Sequence, residues 1–154
     1  MSAAALLQVT WAPHLSLAGA FPNLVLVAVV AATWAHGARA GMLWACVGGL
    51  LLDLTAAGPI GPHALALLCG SYLTALWARN VHGGTPWHPM FTAVAATAVY
   101  SLILIASDDV LGLPVPRLAV AAQLTLAACA YNAVFVPAGL AIVRRFAPQA
   151  AGVA

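Results

Sequence analysis

The chain has 154 residues, of which 64% are hydrophobic and 5% charged, and its mean hydropathy is +1.03. This composition excludes a soluble globular domain, in which about a quarter of the residues are charged, and indicates an integral membrane protein. The five basic residues are all arginines and only two are adjacent, which excludes the clustered positive surface that binds nucleic acids.

Proline, glycine and charged residues divide the chain into six apolar segments. An apolar helix needs about 20 residues to cross the hydrocarbon core, so the chain has room for a single transmembrane domain of about six helices, residues 1–154. The predicted spans are residues 2–12, 22–35, 42–57, 63–78, 90–106 and 117–143.

The first predicted span is short, because eleven helical residues rise about 16 Å. Three explanations are compatible with the sequence. The helix continues past Pro13 toward Phe21, the bilayer is locally thin, or residues upstream are missing. No basic residue precedes Trp11, so we interpret the segment as a first helix rather than a cleaved signal peptide.

Local signals mark the limits of the other spans. Pro22 suits the first turn of the second helix and Asn23 suits its N-cap. Residues 36–41 are predicted to form a tight polar turn, and residues 107–116 a polar connection to the last span. Pro137 is predicted to kink that last helix.

The charges orient the predicted bundle. With six spans, both termini lie on one side together with four arginines, while the other side holds one arginine offset by two aspartates. This asymmetry predicts a protein with both termini in the cytoplasm. The residues concerned are Arg39, Arg79, Arg144 and Arg145 on the first side, with Trp34, Trp44, Trp77 and Trp87 as an aromatic belt, and Asp108, Asp109 and Arg117 on the other.

Asp53 is the one carboxylate inside a predicted span. It lies five residues before Gly58, so it is about 7 Å from the next turn, near the outer interface. An aspartate at the bilayer centre costs roughly 2.5 to 3.5 kcal/mol, and less toward the interface, but it still needs a partner. Small residues recur around it at every fourth position, so we expect Asp53 to face protein; they are Gly41, Ala45, Gly49 and Ala57.

The fourth predicted span has a matching series of residues, Ala66, Gly70, Thr74 and Ala78. We therefore expect the third and fourth spans to pack ridge to ridge through the turn at residues 58–62. This hairpin brings the unpaired N–H groups of the fourth helix, and His63, back to Asp53. We favour a structural tie between helices over a proton or ion carrier, although intramembrane carboxylates are commonly functional.

Two amides in the last span, Gln123 and Asn132, are predicted to form hydrogen bonds between helices, and the alternative is a polar cavity or interface. His82 and His88 have no helical metal-ligand spacing and are interpreted as loop residues. Asp108 and Asp109 are interpreted as solvated loop carboxylates that cap a helix. No CxxC spacing joins the three cysteines, so neither a disulfide framework nor a zinc site is indicated. No metal and no cofactor are expected.

Three stretches resemble the MreD family of rod-shape-determining membrane proteins: "LLQVTWAPHLSLAG" at residues 6–19, "PNLVLV" at 22–27 and "GGLLLDLTAAGPIGPHAL" at 48–65. The family often has Asp where this chain has Asn23. The third stretch is the most specific and is similar to a family pattern of Gly-Leu-Leu-Leu-Asp-Leu, a Gly-Pro-Leu-Gly turn and a His-Ala-Leu helix start. The candidate signature residues are Asn23, Gly49, Asp53, Gly58, Pro59, Gly61, His63 and Gly70.

The resemblance implies an all-α bundle of six transmembrane helices, similar to the substrate-binding subunits of energy-coupling-factor transporters. It also implies a place in the elongasome, with binding to MreC and, with it, to the RodA glycosyltransferase and a class B penicillin-binding protein, in step with MreB. Short loops leave little surface outside the bilayer, so partners and membrane lipids must meet the helices themselves.

Two functions stay open. The first is a non-enzymatic scaffold that binds MreC and helps regulate lateral peptidoglycan synthesis. The second is a small-molecule-binding subunit of a membrane transporter, with a cavity lined by Asp53, Gln123 and Asn132. A membrane enzyme has the least support, because the sequence has no Gly-x-Ser-x-Gly elbow, His-Glu-x-x-His pair or phosphate loop.

Overall fold

The computed structural model describes residues 22–56, 58–81, 85 and 87–146. These residues form five helices: α1 Leu24–His36, α2 Ala38–Thr55, α3 Pro62–Asn80, α4 Trp87–Val110 and α5 Leu118–Phe146. They correspond to the second to sixth predicted spans, and the first predicted span, residues 2–12, lies outside the described residues. By length and composition α2, α4 and α5 can each cross a membrane. The described part of the chain is therefore a helical membrane bundle, and the count of six spans stays a prediction.

The short helix α1 lies at the centre of the bundle and packs against all four of the others. Its 13 residues rise about 20 Å, less than the roughly 30 Å of the hydrocarbon core. Because protein rather than lipid surrounds it, its length need not match the bilayer. Its buried side chains form the middle of the core: Val25, Leu26, Val27, Val29, Val30, Ala31, Ala32 and Thr33.

The turn between α1 and α2 is tighter than predicted. The sequence predicted a turn over residues 36–41, but only Gly37 lies between the helices. Gly37 has a φ of 84°, a conformation that suits glycine, and its N–H donates to the Thr33 carbonyl at 2.9 Å. As a result α2 begins at Ala38, and Arg39 lies in its first turn.

The predicted loop at residues 107–116 is also wrong at its start, because α4 continues to Val110. Gly112, with a φ of 65°, ends the helix. The N–H groups of Gly112 and Leu113 donate to the carbonyls of Asp109 and Asp108, at 3.1 and 2.8 Å, which is a Schellman arrangement. The two aspartates therefore belong to the last turn of α4 and not to a loop.

Short connections make consecutive helices antiparallel, so the bundle has two chemically different ends. The arginine end contains Arg39 in α2, Arg79 in α3, and Arg144 and Arg145 in α5. The aspartate end contains the three acidic residues of the chain, Asp53, Asp108 and Asp109, with Arg117 before α5. Of the predicted aromatic belt, Trp77 and Trp87 are exposed, whereas Trp34 is half-buried and its indole N–H donates to Thr92 Oγ1 at 2.9 Å.

Candidate functional site

Asp53 lies in the last turns of α2, with 1% of its surface exposed. Its Oδ1 accepts from the His63 backbone N–H at 3.0 Å and lies 2.9 Å from His63 Nδ1. Its Oδ2 accepts from the Ala64 N–H at 3.2 Å. These N–H groups belong to the first turn of α3, and the N–H groups of a first turn have no acceptor within their own helix. The contact predicted from the sequence is thus present, and Asp53 caps the neighbouring helix.

The hairpin turn explains why the cap comes from another helix. Gly61 is the N-cap residue of α3 and has no side chain, and Pro62 follows it in the first turn. The N-cap residue therefore offers no side-chain oxygen to cap the helix, and the Asp53 carboxylate supplies that oxygen from α2. Gly58 and Pro59 are exposed in the turn.

Gly49 lies one helical turn before Asp53 and allows α2 and α3 to approach. A Cβ atom at this position would overlap the backbone of Ala64, 2.7 Å from its nitrogen. Ala64, whose N–H donates to Asp53 Oδ2, is thus also the residue packed on Gly49. The close approach and the cap form one contact between α2 and α3.

The predicted ridge of α3 does not face α2 at Gly70. A Cβ at Gly70 would be 3.4 Å from the Ala96 side chain of α4, so this part of the prediction is wrong. Gly41 does pack closely, against Thr33 of α1 and Ser71 of α3. Residue 57, the last member of the predicted series on α2, lies outside the described residues.

The Asp53–His63 pair continues toward α1 through Tyr100 of α4. The His63 and Tyr100 rings meet edge to face, with centroids 6.1 Å apart. The Tyr100 hydroxyl lies near the Asn23 side chain. Asn23 is the N-cap of α1, as expected, and its Oδ1 accepts from the Leu26 N–H at 3.0 Å, while Pro22 precedes the cap and lies outside the first turn.

Asn132 of α5 completes the set of contacts. It is fully buried, and its Oδ1 accepts from the Asn23 backbone N–H at 2.9 Å. Its Nδ2 donates to Thr97 Oγ1 of α4 at 3.0 Å. The predicted interhelical hydrogen bonds are therefore present at Asn132, whereas Gln123 is exposed to the surroundings of the bundle.

These contacts connect all five described helices and extend from the aspartate end to the middle of the bundle. We call them the polar network. Sequence reasoning found four of its members and missed two on α4, whose spacing of three residues places them on one face. The members are Asn23, Asp53, His63, Thr97, Tyr100 and Asn132. As the polar groups are turned toward one another, the network is suited to holding helices in register.

The other predicted positions are dispersed. His82 lies outside the described residues, and His88 is in the first turn of α4. Within the described ranges, no three His, Cys, Asp or Glu residues lie close enough to hold a metal ion. Of the cysteines, Cys46 is exposed, and Cys129 donates through Sγ to the Val94 carbonyl at 3.5 Å.

A cavity of about 450 Å³ lies between α2, α3 and α4, and we call it the groove. Its lining is almost wholly apolar, and neither Asp53, Gln123 nor Asn132 belongs to it. The cavity expected for a transporter subunit is thus not this one. The groove is lined by Met42, Leu68, Cys69, Tyr72, Leu73 and Val99.

Comparison with known proteins gives one family. A family model described as rod shape-determining protein MreD matches residues 1–137 of the chain. No curated protein matches, and no solved structure matches.

Proposed function

The chain belongs to the MreD family of rod-shape-determining membrane proteins, and we propose that it acts as a non-enzymatic scaffold of the elongasome. In this proposal it binds MreC and, with it, RodA and a class B penicillin-binding protein, in step with MreB. It thereby helps to regulate lateral peptidoglycan synthesis and cell shape. The family match over residues 1–137 is the observation that carries the proposal.

The polar network supports a scaffold rather than a catalyst or a carrier. Asp53, His63 and Asn132 direct their polar atoms to protein groups on other helices. Buried polar groups that are bonded in this way stabilise one arrangement of helices. A fixed arrangement is what a scaffold needs to present a constant surface.

The outer surface of the bundle supports binding through the membrane. On α2 the exposed apolar side chains recur at intervals of three and four residues, and they form a continuous face: Leu43, Val47, Leu50 and Leu54. The connections between the described helices are short, so a membrane partner would meet helix surfaces of this kind. The whole bundle is proposed to cross the inner membrane six times with both termini in the cytoplasm, in the fold of the energy-coupling-factor subunits.

The test is capture of MreC from native membranes. The affinity-tagged protein is extracted in mild detergent, and MreC, RodA and the penicillin-binding protein are detected by immunoblot. We expect MreC in stoichiometric amount and the other two in smaller amounts. An unrelated multi-pass protein with the same tag is the control. A well-folded preparation that never retains MreC would overturn the proposal.

A further inference from the structure

The groove lies on the surface of the bundle, toward the arginine end. Met42 is three residues from Arg39 on α2, which is about 4.5 Å along the helix. Tyr72 is seven residues from Arg79 on α3, which is about 10 Å. The apolar lining thus starts close to the arginines and continues from there into the membrane.

The two arginines lie on the helix faces that line the groove. Residues three or seven positions apart on a helix share a face, so Arg39 shares one with Met42 and Arg79 shares one with Tyr72. Both arginines are exposed. Two positive charges from two adjacent helices are therefore placed at the mouth of an apolar groove.

Among the described residues, no carboxylate side chain lies near these two charges. The chain has three acidic residues, and all of them are at the aspartate end, near the opposite face of the membrane. An arginine guanidinium pairs well with a phosphate. The mouth of the groove therefore matches an anionic group and its interior matches a hydrocarbon chain.

A third helix contributes to the same mouth. His88 lies eleven residues, about three turns, before Val99 on α4 and so shares its face. Its Nδ1 is buried and has no hydrogen-bond partner among the described residues. Trp77, an exposed residue of α3, lies at the same level, where aromatic side chains meet lipid headgroups.

We propose that the groove binds one anionic phospholipid. An acyl chain packs on the apolar lining, and the phosphate contacts Arg39 and Arg79. The charge at the mouth favours a lipid over an apolar transmembrane helix, which would leave both arginines unpaired. This binding site is separate from the polar network and does not depend on MreC.

The test measures lipid retention by native mass spectrometry. The protein is placed in nanodiscs of equal phosphatidylglycerol and phosphatidylcholine, so that both leaflets present both lipids, and is then released into detergent. We expect the wild-type protein to retain phosphatidylglycerol selectively. The double variant Arg39→Gln/Arg79→Gln should lower that selectivity by about fivefold for each arginine. Arg117→Gln, at the aspartate end, is the matched control and should leave it unchanged.

A second pair of variants tests the groove itself. Cys69→Phe fills the lining and should lower the retention of both lipids, whereas Cys46→Phe places the same ring on an exposed position of α2 and should not. Equal selectivity in the wild type and the double arginine variant would overturn the proposal. A polypeptide bound in the groove in place of the lipid, in protein purified from native membranes, would also overturn it. Arg39 and Arg79 are exposed, so their variants are expected to fold. They therefore test the proposal even where Cys69→Phe does not fold.

Discussion

The Asp53 carboxylate is buried because it replaces a missing helix cap. It accepts hydrogen bonds from two backbone N–H groups and lies within hydrogen-bonding distance of the His63 ring. All three of these groups belong to the start of α3. The helix N-terminus carries a partial positive charge, which makes it a favourable neighbour for a carboxylate. Asp53, the residue that most resembles an ion carrier in the sequence, thus has both carboxylate oxygens in contact with protein groups.

This assignment predicts the effect of Asp53→Asn. Asparagine keeps one acceptor oxygen but places an NH2 donor against an N–H of α3, and it removes the charge. We expect a loss of about 2 kcal/mol of stability, the range for hydrogen bonds to charged groups, with MreC capture retained. Thermal unfolding in detergent measures the loss. Asp109→Asn, at an exposed site in the last turn of α4, is the matched control and should not lower stability.

A different set of results would contradict the structural role of Asp53. If Asp53→Asn keeps wild-type stability and MreC capture but abolishes rod shape in cells, the charge itself is used. Asp53 would then be a functional carboxylate, and its contacts with α3 would be secondary.

At the scale of elements, two separate contacts specify the register between α2 and α3 in their hairpin. Gly49 allows the backbones to approach, and Asp53 joins them one turn later. Ala64 of α3 makes both contacts: its backbone packs on Gly49, and its N–H donates to Asp53. Packing and hydrogen bonding therefore specify the same register between the two helices, and neither can change without the other.

The hairpin predicts opposite results for two glycines. Gly49→Ala places a methyl group into the backbone of Ala64 and should cost about 1 to 3 kcal/mol through overpacking. Gly70→Ala places its methyl group 3.4 Å or more from the atoms of Ala96, which is ordinary van der Waals contact. Alanine also favours the helix, so stability should be unchanged or slightly higher. Melting temperatures of the two variants in one detergent give the comparison. Equal destabilisation by both would show that the close approach at Gly49 is not special.

At the scale of the whole molecule, the charges divide the bundle into two different ends. Four of the five arginines lie at one end, and all three aspartates lie at the other. Positive residues of short loops are retained on the cytoplasmic side during insertion. The arginine end is therefore expected in the cytoplasm and the aspartate end outside.

This orientation is testable with single cysteines in a variant that lacks Cys46, Cys69 and Cys129. A cysteine at Val115, in the exposed connection between α4 and α5, should react with a membrane-impermeant maleimide in intact cells. A cysteine at Ala38, at the arginine end, should react only after the cells are opened. Labelling of Ala38→Cys in intact cells would reverse the proposed topology.

The sequence by itself determined the features that depend on neighbours along the chain. Hydropathy and breaking residues placed the five described helices, and their ends shifted by up to four residues. The Asn23 cap involves residues three apart, and the contact between Asp53 and His63 joins residues ten apart across one turn. Such contacts follow from helix geometry and turn chemistry, so they are readable without the fold.

Only the tertiary structure decided which helix lies at the centre and which faces meet. It placed Gly70 against α4, and it joined Asn23 to Asn132 across 109 positions of the chain. The physical reason is the solvent. In a bilayer, the lipid-facing and protein-facing sides of a helix are both apolar, so hydrophobic periodicity does not distinguish them. Packing among small residues and a few buried polar groups makes that choice, and these partners come together only in the folded bundle.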